Sequence, residues 1–258
     1  MAKNILLSIS YDGTDFCGWQ RQSEQRSVQG VLEAAMEKVF GQKINLQGSG
    51  RTDSGVHARA QAANFLCPVD SIPEENIPKA LNNFLPKDVR VNAARKKDEN
   101  FSARFSATSR VYRYFFLPAQ IPYASANRFA WQINKVPDIK KLNDMAALLR
   151  GELDCATFAG AGDSSLSTKR CLEGAHFFEE EDSFGQKFLV FEIEANAFLY
   201  RMVRSLAGTL IEFERDKKGV QDFKAALDAR ERSKAGPTAP PQGLFLWEVK
   251  FDGIRRHV

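Results

Sequence analysis

The stretch Ile5-Leu6-Leu7-Ser8-Ile9-Ser10-Tyr11-Asp12-Gly13 decides the fold class, because apolar and polar side chains alternate along it. A period of two residues predicts a strand with one buried face, and Asp12-Gly13 is typical of the turn that ends such a strand. A helix follows, because Ser27 stands where an N-cap belongs, apolar residues then recur on one helical face, and Gly41 ends the pattern. An amphipathic helix beside an alternating strand predicts a helix that covers a sheet.

The rest of the chain extends this pattern into two α+β halves, residues 1–107 and residues 108–258. In the first half we predict a strand at Gln61–Phe65, a helix at Ile77–Phe84 and a strand at Val89–Ala93. In the second half we predict a strand at Arg110–Leu117, a helix at Ile139–Leu149, a hairpin of Ala175–Phe178 and Lys187–Ala195, helices at Ala197–Glu214 and Val220–Leu227, and a strand at Phe245–Phe251. The halves share an architecture, but no repeat of residues relates them.

The composition suits a protein with a substantial core. The chain has 258 residues, of which 43% are hydrophobic, and this is enough for two domains of moderate size. No window has the roughly 18 uninterrupted apolar residues of a membrane span, and the start lacks the apolar stretch of a signal peptide. The four cysteines are widely spaced, which favours reduced thiols over a zinc site. We expect a soluble, cytoplasmic protein without a bound metal.

Charge is distributed unevenly, although the net charge is only +4. Eight basic residues and three acidic residues lie between Lys87 and Arg113. Between Glu173 and Glu194 there are seven acidic residues and one lysine. A polyanion would be attracted to the first segment and repelled by the second. Two ordinary solvated surfaces fit the same counts equally well.

The loop Gly48-Ser49-Gly50-Arg51-Thr52-Asp53-Ser54-Gly55-Val56-His57 holds the strongest candidate for chemistry. Asp53 can be a carboxylate catalyst, a turn residue bonded to its own backbone, or part of an anion-excluding surface loop. Arg51 can hold that carboxylate or bind a phosphate. A histidine in the position of His57 is more often structural than catalytic. The loop lacks the sequence of a P-loop and the glycine spacing of a dinucleotide site, so we expect no nucleotide cofactor.

Aromatic and basic residues are interleaved at two places. These residues are Arg104, Arg110, Tyr112, Arg113 and Tyr114 at one place, and Phe16, Trp19, Arg21 and Arg26 at the other. Unstacked bases and phosphates are bound by such combinations. A strand that buries one aromatic face gives the same pattern. RNA or DNA is therefore a candidate substrate or partner.

A series of motifs, taken in order, matches a known family. The motifs are Tyr11-Asp12-Gly13, Gly18-Trp19-Gln20, Ser27-Val28-Gln29, Leu32-Glu33, Gly50 to Ala58, Leu81-Asn82, Leu85-Pro86, Phe101 to Ala107, Tyr112-Arg113-Tyr114, Asn196-Ala197-Phe198, Met202-Val203-Arg204 and Thr238-Ala239-Pro240. Their order and spacing closely resemble those of the bacterial tRNA pseudouridine synthase A family over nearly the whole chain. The resemblance implies two ferredoxin-like halves whose antiparallel sheets join across a central catalytic cleft. It also implies a homodimer that binds the anticodon stem-loop and the body of tRNA.

The reaction that the resemblance implies is isomerisation of uridine to pseudouridine at positions 38 to 40 of tRNA, without cofactor or metal. Asp53 matches the nucleophile, with Gly50 and Gly55 as its pliable frame, and Arg51 matches an arginine that contacts RNA or extrudes the target base. Arg204 matches the arginine that pairs with the carboxylate, and Tyr112 matches the aromatic that stacks on the uracil. Asp53 could add to C6, attack C1′ or remove a sugar proton. The rival hypotheses are a non-catalytic RNA-binding protein and a metal-dependent nuclease that uses Asp53 and His57.

Overall fold

The computed structural model describes residues 3–118, 121–124 and 126–256. The strands are β1 (Lys3–Tyr11), β2 (Gln47–Gly48), β3 (His57–Cys67), β4 (Val89–Lys97), β5 (Ser109–Pro118), β6 (Trp131–Ile133), β7 (Gly151–Asp154), β8 (Lys169–Glu181), β9 (Lys187–Ala195) and β10 (Leu244–Lys250). The helices are α1 (Val28–Phe40), α2 (Ile77–Asn82), α3 (Ile139–Ala146), α4 (Met202–Arg215) and α5 (Val220–Ala229). The predicted α+β class is confirmed. None of the described helices has the length and hydropathy that crossing a membrane requires.

The contacts within the chain divide it into two units. The first contains Met1–Thr108 and Phe245–Gly253, and the second contains Ser109–Leu244 and Ile254–Val258. The sequence prediction had assigned residues 245–253 to the second half. They belong to the first unit because β10 pairs with β3, in parallel, at Phe245–His57 and Leu246–Ala58.

The sheet of the first unit has the strand order β4-β1-β3-β10, and β2 pairs with β3. The pairs β1–β3 and β1–β4 are antiparallel. Alternate residues of β1 are buried, as the period of two predicted. Ser27 caps the start of helix α1, and its side chain accepts a hydrogen bond from the Gly30 amide; Gly41 caps the end of the helix in the left-handed conformation. Its last residue, Phe40, has its ring centre 5.6 Å from that of Phe65 on β3, so the helix covers the sheet as expected.

The sheet of the second unit has the strand order β5-β9-β8-β7, and β6 pairs with β5 in parallel. The pairs β5–β9, β9–β8 and β8–β7 are antiparallel. Helix α3 packs against β8 and helix α4 against β5. The core of this unit is rich in buried aromatic rings, including Tyr114, Phe116, Phe177 and Phe191. Helix α4 starts at Met202 rather than at Ala197, because Arg201 before it has a left-handed backbone with φ of 58°.

Candidate active site

Asp53 lies in the loop between β2 and β3, and its side chain is half-buried. Thr52 before it is buried, and the Thr52 hydroxyl lies 2.7 Å from the Tyr11 hydroxyl at the end of β1. On the other side, the Val56 amide donates to the Asp53 carbonyl at 3.2 Å and closes a turn. Both flanks of Asp53 are therefore fixed, while the residue itself reaches the surface.

A neighbouring segment, residues 16–19, holds the same loop from outside. The Trp19 amide donates to the Thr52 carbonyl at 3.1 Å, and the Gly55 amide donates to the Phe16 carbonyl at 3.3 Å. The Ser54 hydroxyl also donates to the Phe16 carbonyl, at 3.2 Å. Two of these three bonds join backbone atoms, so the two loops hold each other's backbone in position.

Gly18 permits this close approach. A Cβ at Gly18 would lie 2.6 Å from the Thr52 carbonyl oxygen, and its φ of +106° is one that L side chains rarely adopt. Within the Asp53 loop, Gly55 has φ of +76°. Gly50 has an ordinary φ, and a Cβ there would meet no described atom within 4 Å. The pattern of aromatic and basic residues around Gly18 made this segment a candidate nucleic-acid-binding cluster, but Phe16 and Trp19 are buried. That pattern assigned no role to Gly18 itself.

His57 is fully buried at the start of β3. Its Nδ1 accepts a hydrogen bond from the Gly13 amide at 2.9 Å, and Asp12 Oδ1 lies 3.2 Å from the same nitrogen. An amide can only donate, so Nδ1 acts as the acceptor and the Asp12 contact is not an ion pair in this arrangement. The ring stacks on Phe245 at 4.6 Å. His57 thus joins the turn after β1 to the end of the Asp53 loop, and it is not presented to a ligand.

Arg51 lies two residues before Asp53 and is exposed. The Gly50 carbonyl beside it accepts a hydrogen bond from the buried side chain of Gln61 at 3.0 Å. The backbone of Arg51 is therefore anchored, whereas its guanidinium group extends from the loop toward solvent. Arg51 is therefore accessible to a ligand at the surface.

Tyr112 lies on β5 of the second unit and is half-buried. Its ring meets Phe198 edge-on, with 5.0 Å between ring centres. Tyr114 and Phe116, on the same face of β5, are fully buried. On the opposite face, Arg113 forms ion pairs with Glu192 at 2.6 Å and Glu180 at 3.0 Å. The aromatic pattern of this strand is therefore mostly core packing, and Tyr112 is the member that approaches the surface.

Arg204 lies in the first turn of α4, and its contacts fix the segment around Ala239. Arg204 Nε donates to the Ala239 carbonyl at 2.8 Å, and the Ala239 amide donates to the Arg204 carbonyl at 3.1 Å. Gly208 allows the segment to lie on the helix, because a Cβ there would come within 1.9 Å of the Pro237 carbonyl oxygen. The Tyr114 hydroxyl donates to the Pro240 carbonyl at 2.7 Å. The motif that contains Arg204 and the motif that contains Ala239 are distant in sequence, but they are packed and hydrogen-bonded to each other.

Electrostatics link the same group of residues. Burial raises the pKa of Tyr114, and the Arg204 guanidinium opposes that shift.

Of the four residues predicted for the site, Arg51 and Asp53 share one loop of the first unit, whereas Tyr112 and Arg204 lie in the second. Among the described residues, no three His, Cys, Asp or Glu side chains are grouped so that they could hold a metal ion.

Comparison with known proteins identifies the family. A family profile described as tRNA pseudouridine synthase matches residues 7–106 and 145–252. A tRNA pseudouridine synthase A from Treponema denticola is 50% identical over 254 residues, which cover 96% of this chain and 93% of that protein. Proteins of the same name from Treponema pallidum and a Thermoanaerobacter species are 48% and 38% identical, over 91% and 96% of this chain and 84% and 100% of their own lengths. This chain therefore belongs to the tRNA pseudouridine synthase family of isomerases.

Proposed function

We propose that this chain converts uridine to pseudouridine at positions 38 to 40, in the anticodon stem-loop of tRNA, with Asp53 as its nucleophile. The observation that carries this proposal is the setting of Asp53. Asp53 is half-buried in a loop that is bonded to β1 on one side and to residues 16–19 on the other. A reacting group must be held in a defined geometry, because small displacements of it lower the rate.

The chemistry explains why a fixed carboxylate would be needed. A base within a stem is out of reach, so the nucleotide has to flip out, at a cost of a few kcal/mol. The bond from N1 to C1′ then breaks, the uracil turns, and C5 bonds to C1′. The C5 proton is released and N1 becomes protonated, so the isomerisation is balanced without a cofactor. Asp53 can begin this sequence by attack on C6 or C1′, or by removal of a sugar proton.

The other three residues have separate roles in the proposal. Tyr112 stacks on the target uracil, and its partial exposure and edge-on packing against Phe198 suit that role. Arg51 is exposed and contacts RNA or helps to displace the base. Arg204 pairs with the nucleophilic carboxylate, since a guanidinium group stabilises a carboxylate in its charged form. The orientation of Arg204 is supported by the hydrogen bond from its Nε to Ala239.

The assay measures tritium release from unmodified tRNA labelled at C5 of uridine. Wild type should release tritium, Asp53→Asn should not, and Asp53→Asn should still bind tRNA in a filter-binding assay. Chemical mapping of the product should place the modification at positions 38 to 40. Absence of release from several tRNAs with wild type would contradict the activity, and release by Asp53→Asn would contradict the role of the carboxylate. Excess chelator is included, so that chelator-sensitive strand cleavage would reveal the nuclease.

The assembly and location are part of the same proposal. We expect a cytoplasmic homodimer that binds tRNA. Sedimentation equilibrium at several protein concentrations tests the dimer directly, and a monomer at all of them would contradict it. The family relationship supports tRNA as the substrate, because tRNA is named for its members.

A further inference from the structure

The connection between β4 and β5 contains an exposed aromatic side chain beside an arginine. Phe105 is 58% exposed, whereas its neighbours Ala103 and Ala107 are buried. The Arg104 guanidinium carbon lies 5.3 Å from the centre of the Phe105 ring. A single exposed phenylalanine carries no argument by itself, because such residues are common on protein surfaces. The hydrogen bonds that fix this loop distinguish Phe105 from other exposed aromatic residues.

Two buried asparagines fix the loop from below. Asn4 on β1 and Asn64 on β3 are 2% and 5% exposed, and the Asn64 amide nitrogen donates to Asn4 Oδ1 at 2.9 Å. Asn4 donates to the Phe101 carbonyl at 2.7 Å, and Asn64 Oδ1 accepts the Ala103 amide at 2.8 Å. Buried amides are costly unless they are bonded, so two of them serving one loop indicate that the position of the loop matters.

Two serines close the loop around Phe105. The Ser106 amide donates to the Ser102 carbonyl at 2.8 Å, and the Ser102 amide donates to the Ser106 hydroxyl at 3.1 Å. The Phe105 amide donates to the Ser102 hydroxyl at 3.3 Å. The loop is therefore preorganised, and an exposed ring on it can bind a partner without first losing the conformational entropy of the backbone.

The charge around the loop is that of a surface for a polyanion. Strand β4 ends in Arg95, Lys96 and Lys97, and Lys97 Nζ lies 5.3 Å from the ring of Phe101. Two acidic residues, Asp98 and Glu99, follow. From Arg95 to Phe105 the basic residues outnumber the acidic ones by four to two. A flat aromatic ring and a planar guanidinium group on a basic segment match a base and its phosphate.

We propose that Phe105 and Arg104 form a nucleotide-binding site for the tRNA substrate, separate from the residues that carry out the reaction. Phe105 stacks on an unpaired base, and Arg104 contacts the adjoining phosphate. The site rests on tRNA being the substrate, as in the proposed function, and it adds affinity and register rather than chemistry.

The experiment measures binding of unmodified tRNA by filter binding over a range of salt concentrations, with Asp53→Asn as the common background so that turnover does not interfere. Phe105→Ala and Phe105→Leu should each weaken binding about tenfold, because they remove the stacking surface. Phe105→Trp should bind within about twofold of the background. The matched control is Phe184→Ala, because Phe184 is 73% exposed but lies beside the acidic tip of the β8–β9 hairpin. It should bind like the background.

Salt dependence separates the two side chains. Arg104→Ala should lower the slope of log K against log salt by about 1, because one phosphate contact is lost. Arg104→Lys should keep the slope, and Phe105→Ala should not change it. Equal binding by Phe105→Ala and its background would overturn the proposal, as would a change of oligomeric state in Phe105→Ala without a change in tRNA binding. If neither wild type nor the background protein binds tRNA, the proposed function fails rather than this site alone.

Discussion

At the residue scale, Gly18 determines how closely residues 16–19 can lie against the Asp53 loop. Gly18→Ala adds a Cβ 2.6 Å from the Thr52 carbonyl, at a φ of +106°. We expect a loss of about 3 kcal/mol or more in the free energy of unfolding, because the side chain brings both backbone strain and a clash with backbone. We also expect kcat to fall by about 10- to 100-fold, since the clash displaces the residue before Asp53.

Gly41→Ala is the matched control, because Gly41 also has a left-handed backbone, with φ of +72°, but a Cβ there meets no described atom within 4 Å. Its cost should be strain alone, about 1 kcal/mol, with kcat unchanged. Urea unfolding and single-turnover assays of both variants test the comparison. Equal effects of the two substitutions on kcat would show that contact between the loops does not position Asp53.

Cys155 makes the stability of the protein sensitive to high pH. Burial raises the pKa of this thiol to about 12 from an ordinary value of 9, while Arg170 acts to lower it and Asp154 to raise it. Folding therefore favours the protonated thiol, so this contribution is complete below about pH 9 and is lost as the pH rises toward 12. As the pH rises from 9 to 11, the free energy of unfolding should fall by roughly 2 kcal/mol less for Cys155→Ala than for wild type.

Thr157→Val is the control for this experiment, because Thr157 is a buried neighbour whose hydroxyl donates to the Ala226 carbonyl at 2.8 Å but does not titrate. It should lower stability by a similar amount at each pH. Urea unfolding from pH 7 to pH 11 gives the curves. Parallel curves for wild type and Cys155→Ala would show that ionisation of Cys155 does not lower the stability at high pH.

At the element scale, Asn4 and Asn64 couple β1 and β3 to the loop after β4. Each single substitution to alanine leaves the other buried amide without one of its partners, so the two losses should not add. We expect a coupling energy of about 1 to 3 kcal/mol from the double-mutant cycle, measured by urea unfolding. The control cycle uses Ser10 and Asn92, whose side chains share a 3.2 Å hydrogen bond at an exposed site. A coupling for Asn4 and Asn64 as small as that of the control pair would contradict this account.

The elements that the sequence predicted are those whose signal is local. The alternation along β1 and the caps of α1 are local properties, and the structure contains both elements where they were predicted. Strands β2, β6 and β7 have two to four residues each, too few for a periodic pattern, and none of them was predicted. The predicted start of α4 was wrong by five residues, because the left-handed backbone of Arg201 depends on its surroundings and not on local preference.

The candidate site was predictable only in part, because only its local sequence features can be recognised in a single sequence. Glycine and polar residues around Asp53 indicated an unusual loop from composition alone. The contacts that fix it, from Tyr11 to Thr52 and from Trp19 to the same residue, join positions more than 30 residues apart. The structural role of His57 was one of the two possibilities left open, and its burial decides between them. Tertiary contacts of this kind leave no periodic signal in a single sequence.

At the scale of the whole molecule, the first unit is discontinuous in sequence. Besides the pairing of β10 with β3, the Thr108 amide donates to the Lys250 carbonyl at 2.9 Å, and Phe251 lies 5.1 Å from Phe101. The chain therefore leaves this unit after Thr108 and returns at Phe245. A fragment that ends at residue 108 lacks one strand of its sheet and the aromatic ring that covers His57.

This arrangement predicts that residues 1–108 need residues 245–253 to fold stably. Because Thr108 is bonded to Lys250, a linker has to return along five residues of β10 to Phe245, about 17 Å, and eight Gly and Ser residues are long enough. We expect residues 1–108 joined in this way to residues 245–253 to melt about 10 °C or more above residues 1–108 alone. Burial of Leu246 and stacking of Phe245 on His57 together contribute about several kcal/mol. The same linker followed by the nine residues in scrambled order is the control, and it should melt like the short fragment. Equal melting temperatures for all three proteins, measured by circular dichroism, would mean that the returning strand belongs to the first unit by position but does not stabilise it.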